Sequence, residues 1–426
     1  MKLSKLTGVE PLSLNIKELG KYYEAGDFES LIRLLDRDLN DAHLLSLRGI
    51  TKKALGQIES AIADLEQAVK LVPGDTDLLT NLGNAYREAG KLASSASAYE
   101  TALAANPENA NAHDALGLLL FDTGDYARAA THFKKCINLS KHTDKAWYQL
   151  GEAYRKSGKL EEAIKCYKET EYHLSKSNLL ECYYRLGDPP VLESFREIIN
   201  QSKIHSHRNA LSGSIISHAN HYFGTAIENP FCEDPLSSVA TGLIKENEMS
   251  DSELNALRQF IDTEFTEYRT QSLLINGRQS SGNLFSSNHH LIKKLHSVIL
   301  SYIDRYRAKF PPDSNFIRYW PNSTRLYGWV VDMEKNGMLN PHIHKEGWVS
   351  GCFYLDMPNK NNTLEGAISF SIDDDQYPAL PQDSKIKNVA TERKMICMFP
   401  SSLHHFTRPF SGEGRRLSFA FDLIAV

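Results

Sequence analysis

Two folds in series are predicted for this chain: an all-α solenoid of paired helices in the first half, then an α+β domain built on an antiparallel β-barrel or sandwich. Three observations predict it. Glycines recur at Gly49, Gly83, Gly117 and Gly151, each 34 residues after the last, and a second series, Gly56, Gly90, Gly124 and Gly158, keeps the same period. After Pro321 the text changes to short alternating or apolar runs, RLYGWVVDM, WVSGCFYLDM, EGAISFSI, RKMICMFP and RLSFAFDLIAV, which read as strands. Between them stand turn-forming clusters at Glu334 to Gly337, Asn359 to Asn362 and Ser411 to Gly414.

A fixed period of this length marks a helical repeat array, because each unit leaves an apolar stripe that only the next unit can bury. Within one unit Trp147, Leu150, Gly151, Tyr154, Ala163 and Tyr167 alternate large and small side chains, and Leu82, Gly83, Tyr86, Tyr99, Ala102 and Pro107 do so in another. This pattern resembles tetratricopeptide repeats from about residue 42 to 175, and more loosely at Leu19 to Leu39. The resemblance implies a concave groove for a peptide or protein partner, against the plainer reading of a scaffold that only orders the second half. Cys136 takes the place held elsewhere by Ala68 and Ala102, so a small buried side chain is expected there.

At 426 residues the chain has room for two or three domains. Its 48 Lys and Arg stand against 53 Asp and Glu, a net charge of -5, which argues against nucleic acid or an anionic membrane as a general partner. Six scattered cysteines form no C-x-x-C pair, as a reducing compartment allows. No apolar run is long enough for a signal peptide or a membrane span. A soluble cytoplasmic protein is the expectation.

The run Leu186-Gly187-Asp188-Pro189-Pro190 should end the solenoid, since proline removes a donor and disfavours helix before it. Residues 1–190 are therefore assigned to the repeats and 191–270 to a connecting segment, with a capping helix at Val191 to Asn200. Residues 251–263 and 288–309 have helical amphipathicity and would pad one side of a sheet. His205 and His207 sit in a polar, Ser-rich context and are not expected to bind metal.

The chemistry is concentrated in NPHIHKEGWVSGCFYL, at residues 340–355. If the strand continues there, His342, His344 and Glu346 face the same way, since side chains two apart share a face. Downstream come FPSSLHHFTRP, with His404 and His405, and RRLSFAFDL, with Arg415 and Arg416. Two nearby histidines, a distal histidine and a strand-borne arginine are the parts of a non-haem iron site on a β-barrel.

Those segments, together with QSLLINGRQSSGNLF at 271–285, resemble the 2-oxoglutarate and Fe(II) dependent oxygenases of the double-stranded β-helix, or jelly-roll, fold, particularly a branch joined to tetratricopeptide repeats. The resemblance covers residues 271–426. It implies Fe(II) and 2-oxoglutarate as cofactors, with His342, His344 and His405 as metal ligands. Arg416 and Tyr354 would meet the far carboxylate of the oxoacid. The family usually has His-x-Asp where this chain has His-x-His, so a second ligand set, His344, Glu346 and His405, stays open. Hydroxylation of a peptide or protein presented by the repeats is the implied activity. A three-histidine thiol dioxygenase that does not use 2-oxoglutarate, and a non-catalytic scaffold with an inactive barrel, are the rival readings.

Overall fold

The computed structural model describes residues 16–36, 39–140, 144–186, 209–224, 226–264, 268–269, 273–373, 377–378, 380 and 386–426. The proline break at 187–190, the helix expected at 191–200 and His205 and His207 lie outside these residues. The chain divides into two compact units, 1–115 and 116–426.

In the first unit, helices α1 (Ile16–Glu24), α2 (Phe28–Leu35), α3 (Ala42–Ala54), α4 (Ile58–Leu71), α5 (Thr76–Glu88) and α6 (Leu92–Ala105) precede the start of α7 (Ala110–Asp122). Asp41 and Asp75 cap α3 and α5 by accepting two backbone N–H groups each, which satisfies donors the first turn cannot pair. The two glycine series have different causes. A Cβ on Gly49 would lie 2.7 Å from Leu65 Cγ, so this series allows close helix crossing. Gly56 stands at φ +79°, the left-handed conformation that ends a helix.

The second unit continues the repeats with α8 (Tyr126–Leu139), α9 (Asp144–Lys156), α10 (Leu160–Lys168) and α11 (Ser175–Leu186). A Cβ on Gly117 or on Gly151 would lie 2.6 Å from the ring of Phe133 or Tyr167, so the close packing recurs. Cys136 is buried, and all six cysteines are free thiols. After α12 (Ala210–Phe223) come β1 (Ala240–Leu243), α13 (Asp251–Glu264), β2 (Tyr268–Arg269), β3 (Leu274–Ser280), α14 (His290–Arg307) and α15 (Asn315–Arg318). The remaining strands are β4 (Thr324–His342), β5 (Gly347–Asp356), β6 (Ile368–Ser371), β7 (Lys387–Val389), β8 (Met395–Pro400), β9 (His404–Thr407) and β10 (Arg416–Ala425).

These strands form one antiparallel sheet in the order β1-β8-β5-β10-β4-β9-β6-β7, with β3 also paired to β4, and it curls into a jelly-roll-like domain. Alternation along β10 sorts its two faces. Leu417, Phe419, Phe421 and Leu423 join the core packed with α13 and α14, as the amphipathic helices predict. Arg416, Ser418, Ala420 and Asp422 face the other way, and the first three line an internal cavity.

Two expectations are corrected. The segment 191–270 is more than a connector, because β1 pairs with β8 from Ala240↔Met398 to Leu243↔Met395 and so begins the sheet before residue 271. Glu334 to Gly337 is not a turn between strands. It is a bulge inside β4: Gly277 pairs with Met333 and Ile275 with Met338, so four residues stand opposite Asn276, and Asn336 takes φ +62°.

Candidate functional site

Three histidines converge at one end of the barrel. His342 is the last residue of β4 and His405 lies in β9, where the two are register partners across an antiparallel pair. His344 arrives differently from expected. The strand stops at His342, and a turn over 343–346 carries His344 round, closed by a bond from Gly347 N–H to the His344 carbonyl. The ring centroids of His342, His344 and His405 are 4.3 to 5.0 Å apart, and one nitrogen from each falls within 4.8 Å of the others.

The outer nitrogens fix the rings. His342 Nδ1 lies 2.8 Å from the Asn340 carbonyl, and His405 Nδ1 lies 3.2 Å from the Leu403 carbonyl. A carbonyl oxygen only accepts, so both Nδ1 atoms carry hydrogen and both Nε2 lone pairs point inward. His344 Nδ1 stands 2.6 Å from Asp422 Oδ1, which also accepts from Ser350 Oγ at 2.6 Å. With this arrangement His342 Nε2 and His344 Nε2 face each other at 3.1 Å, and a cation held by both would satisfy both lone pairs. Burial first, then the neighbouring His344, holds the pKa of His342 down to about 3. Burial and the other two histidines push His405 well below the ordinary histidine range. Both rings therefore keep a free lone pair at neutral pH.

The histidines share a cavity of about 260 Å³ with Arg416, Trp329 and Cys352. This is below the roughly 300–1,000 Å³ typical of drug-sized sites, so it suits a small ligand. Arg416 is 2% exposed. Its guanidinium lies over the Tyr354 ring, Cζ 4.9 Å from the centroid, and donates to the Gly366 carbonyl at 3.3 Å and to Ser418 Oγ at 3.3 Å. Among the described residues it meets no carboxylate, and the buried Tyr354 hydroxyl has no hydrogen-bond partner. A buried cation without an anion is costly, which makes this end of the cavity complementary to an acid.

The structure brings His342, His344, His405 and Arg416 to one cavity and leaves Glu346 outside it. Because the strand has ended, Glu346 points outward, is largely exposed, and accepts from His173 Nε2 at 2.7 Å. His404 faces away as alternation predicts, with Nδ1 3.3 Å from Ser214 Oγ on α12. Arg415 is held by Asp262, Asp332 and Asp356 at 2.8 to 3.7 Å. Asp422 is the residue sequence reasoning missed. It stands six residues after Arg416, on the same face of the same strand, which alternation alone indicates without revealing its partner.

The last repeat reaches the histidine-bearing turn. Lys345 Nζ donates to Asn178 Oδ1 on α11 at 3.0 Å, one residue from His344, and the His173–Glu346 pair ties down the far side.

Comparison with known proteins agrees with this division. Residues 327–422 match the family described as "Putative 2OG-Fe(II) oxygenase", and residues 46–96, 80–141 and 144–170 match tetratricopeptide repeat families. Among curated proteins, the chain is 27% identical over 143 residues to a Hordeum vulgare protein named "Probable UDP-N-acetylglucosamine--peptide N-acetylglucosaminyltransferase SPINDLY". It is 23% identical over 133 residues to the general transcriptional corepressor trfA of Dictyostelium discoideum. These matches cover 32% and 31% of this chain, and only 15% and 9% of those proteins. Similar solved structures include MamA, at 26% identity over 39% of this chain and 88% of that one, TM-score 0.32. A thermophilic tetratricopeptide-repeat protein from Thermus thermophilus matches at 24% identity over 36% of this chain and 86% of its own, TM-score 0.33.

Proposed function

We propose, for a chain that carries tetratricopeptide repeats over residues 46–170 and an oxygenase-family domain over 327–422, that it is an Fe(II) and 2-oxoglutarate dependent hydroxylase of a peptide or protein. The observation that carries this reading is Arg416. A buried guanidinium with no carboxylate partner among the described residues shares one small cavity with three inward-facing imidazoles, so a single ligand could meet the cation at one end and a metal at the other.

The donor set fits such a metal, since imidazole nitrogens suit iron and one from each histidine lies within 4.8 Å of the others. His342, His344 and His405 would hold it. When bound, Fe(II) with 2-oxoglutarate and oxygen converts a substrate C–H into C–OH while the oxoacid is oxidised to succinate and carbon dioxide. The chain's own part is positioning. Arg416 would grip the far carboxylate with its planar fork, and the Tyr354 hydroxyl would stand beside it. Asp422 orients His344 and places a negative charge behind it, which partly replaces the carboxylate that a His-x-Asp pair would have put on the metal itself. Trp329, Val331 and Phe399 give the cavity an apolar wall that keeps water out.

Two measurements follow. Anaerobic addition of Fe(II) and then 2-oxoglutarate to the full chain should produce a weak visible charge-transfer band. Its absence would favour the thiol dioxygenase or the inactive scaffold. Asp422→Asn should weaken metal binding by roughly ten- to a hundredfold, the usual effect of losing a carboxylate behind a ligating histidine. Unchanged affinity in a metal titration would leave Asp422 with a packing role only.

A further inference from the structure

A second and larger cavity, of about 940 Å³, opens over the histidines within the second compact unit. It shares Leu273, His342 and Ile343 with the inner cavity, so the two meet at the histidine end. Its walls come from both parts of the unit. Arg155, Lys156 and Glu181 belong to repeat helices α9 and α11, while Pro341, Lys345 and Phe406 belong to the barrel mouth. If the inner cavity takes the metal and the oxoacid, this cleft gives whatever is oxidised an approach to them.

Among the described residues, charge around the repeat wall and the adjoining Lys345 is unbalanced. Arg155 forks onto Glu152 at 2.8 Å and reaches Glu181 at 2.9 Å, and Lys345 and Arg185 reach the same Glu181 at 3.7 and 3.9 Å. With Lys156, that places four cations on two carboxylates. Glu152 is already saturated, accepting also from Tyr167 and Asn178. Lys156 has no ion pair among the described residues, and partial desolvation, then the charges of Arg155 and Lys345, lower its pKa. Asp373, on the opposite wall, is engaged by His218 Nε2 at 3.2 Å. Leu211, Ile343, Tyr377 and Phe406 add an apolar and aromatic stretch to the lining, beside the polar Asn340 and Ser371.

We propose that this cleft is the substrate-binding site, walled jointly by the last repeats and the barrel mouth, and that it takes an acidic peptide segment whose carboxylates meet Lys156 and Lys345. The proposal rests on the oxygenase reading for its chemistry but not for its binding preference. An acidic side chain there supplies an anion to the four cations, which among the described residues share two carboxylates, and the apolar stretch receives the neighbouring residues. The last repeat thus helps build the site in addition to fixing the turn that bears His344.

The test is equilibrium binding to the full chain of two fluorescein-labelled decapeptides, one alternating glutamate with alanine and the other lysine with alanine, read by anisotropy. The glutamate peptide should bind at least tenfold more tightly. Lys156→Glu should weaken that binding tenfold or more and Lys156→Gln less. Lys335→Glu, which changes net charge as much as Lys156→Glu but lies on an exposed pair with Glu413, should have little effect. Equal binding of the two peptides, or equal loss in the Lys156→Glu and Lys335→Glu variants, overturns the proposal. The charge-transfer band of the unmodified chain separates the two readings. A band without charge preference removes the cleft alone, and Lys156-dependent glutamate binding without a band leaves the cleft standing and removes the cofactors.

Discussion

Alanine in place of His405 is expected to abolish metal binding, while alanine at His404 and glutamine at Glu346 leave it in place. His405 is the buried cross-strand partner of His342, and its removal cuts three converging imidazoles to two. His404 is adjacent in sequence but its ring bonds Ser214 on the opposite face, so its loss should cost packing against α12 and spare the metal. Glu346 is bound to His173 and sits outside the cavity, so an amide there should change the contact to the repeats and little else. Metal content of the purified variants after dialysis against Fe(II) or Mn(II) decides all three. Loss in the His404 variant with retention in the His405 variant would shift the register by one, and loss in the Glu346 variant would return that residue to the ligand set.

The contrast between His344 and Glu346 marks where sequence reasoning reached its limit. Alternation along a strand places His342 and His344 side by side, and they do converge, but the cause is the 343–346 turn and the bond from His344 to Asp422. The same alternation would have brought Glu346 to the metal, and the turn is what removes it. Strand periodicity was legible wherever the strand is buried on both faces or paired along its length. The runs predicted for β5, β8 and β10 therefore match their observed bounds closely, and Arg416 falls on the expected face. Asp422 was on that face too, yet a carboxylate late in a strand reads as a solvated end unless its partner, seventy-eight residues away in sequence, is known.

The middle of the chain was hard to read for a different reason. Residues 210–223, ALSGSIISHANHYF, lack helical amphipathicity because α12 is buried nearly all round: Leu211, Ile215, Ile216 and Ala219 pack with Tyr184 of the last repeat and Tyr377 of the barrel. His218, fully buried within it, accepts or donates to Tyr184 at 2.6 Å and reaches Asp373 at 3.2 Å. A helix wedged between two layers carries polar residues where it meets polar partners, so its pattern reflects tertiary contacts that the local sequence does not encode. The short β1 suffers likewise, since four residues hold too little alternation to announce a strand, and its pairing with β8 spans more than 150 residues.

Replacing Arg416 by alanine should raise the 2-oxoglutarate concentration for half-maximal succinate formation tenfold or more, while metal binding persists. A hydrogen bond to a charged group contributes about 1.5–3 kcal/mol, and about 1.4 kcal/mol already corresponds to a factor of ten. Lysine at 416 should recover only part of the effect, because it keeps the charge and loses the bidentate fork. Arg415→Ala should leave the 2-oxoglutarate dependence alone, since that guanidinium is committed to Asp262, Asp332 and Asp356 on the other face. Thermal unfolding supplies a readout independent of turnover. Among the described residues the buried Arg416 guanidinium has no carboxylate partner, which costs the ligand-free protein free energy, so Arg416→Ala should not lower its melting temperature and should lose the stabilisation that 2-oxoglutarate confers on the unmodified chain. A variant that melts early and keeps its response to 2-oxoglutarate would make Arg416 a structural residue, and the acid would have to be bound elsewhere.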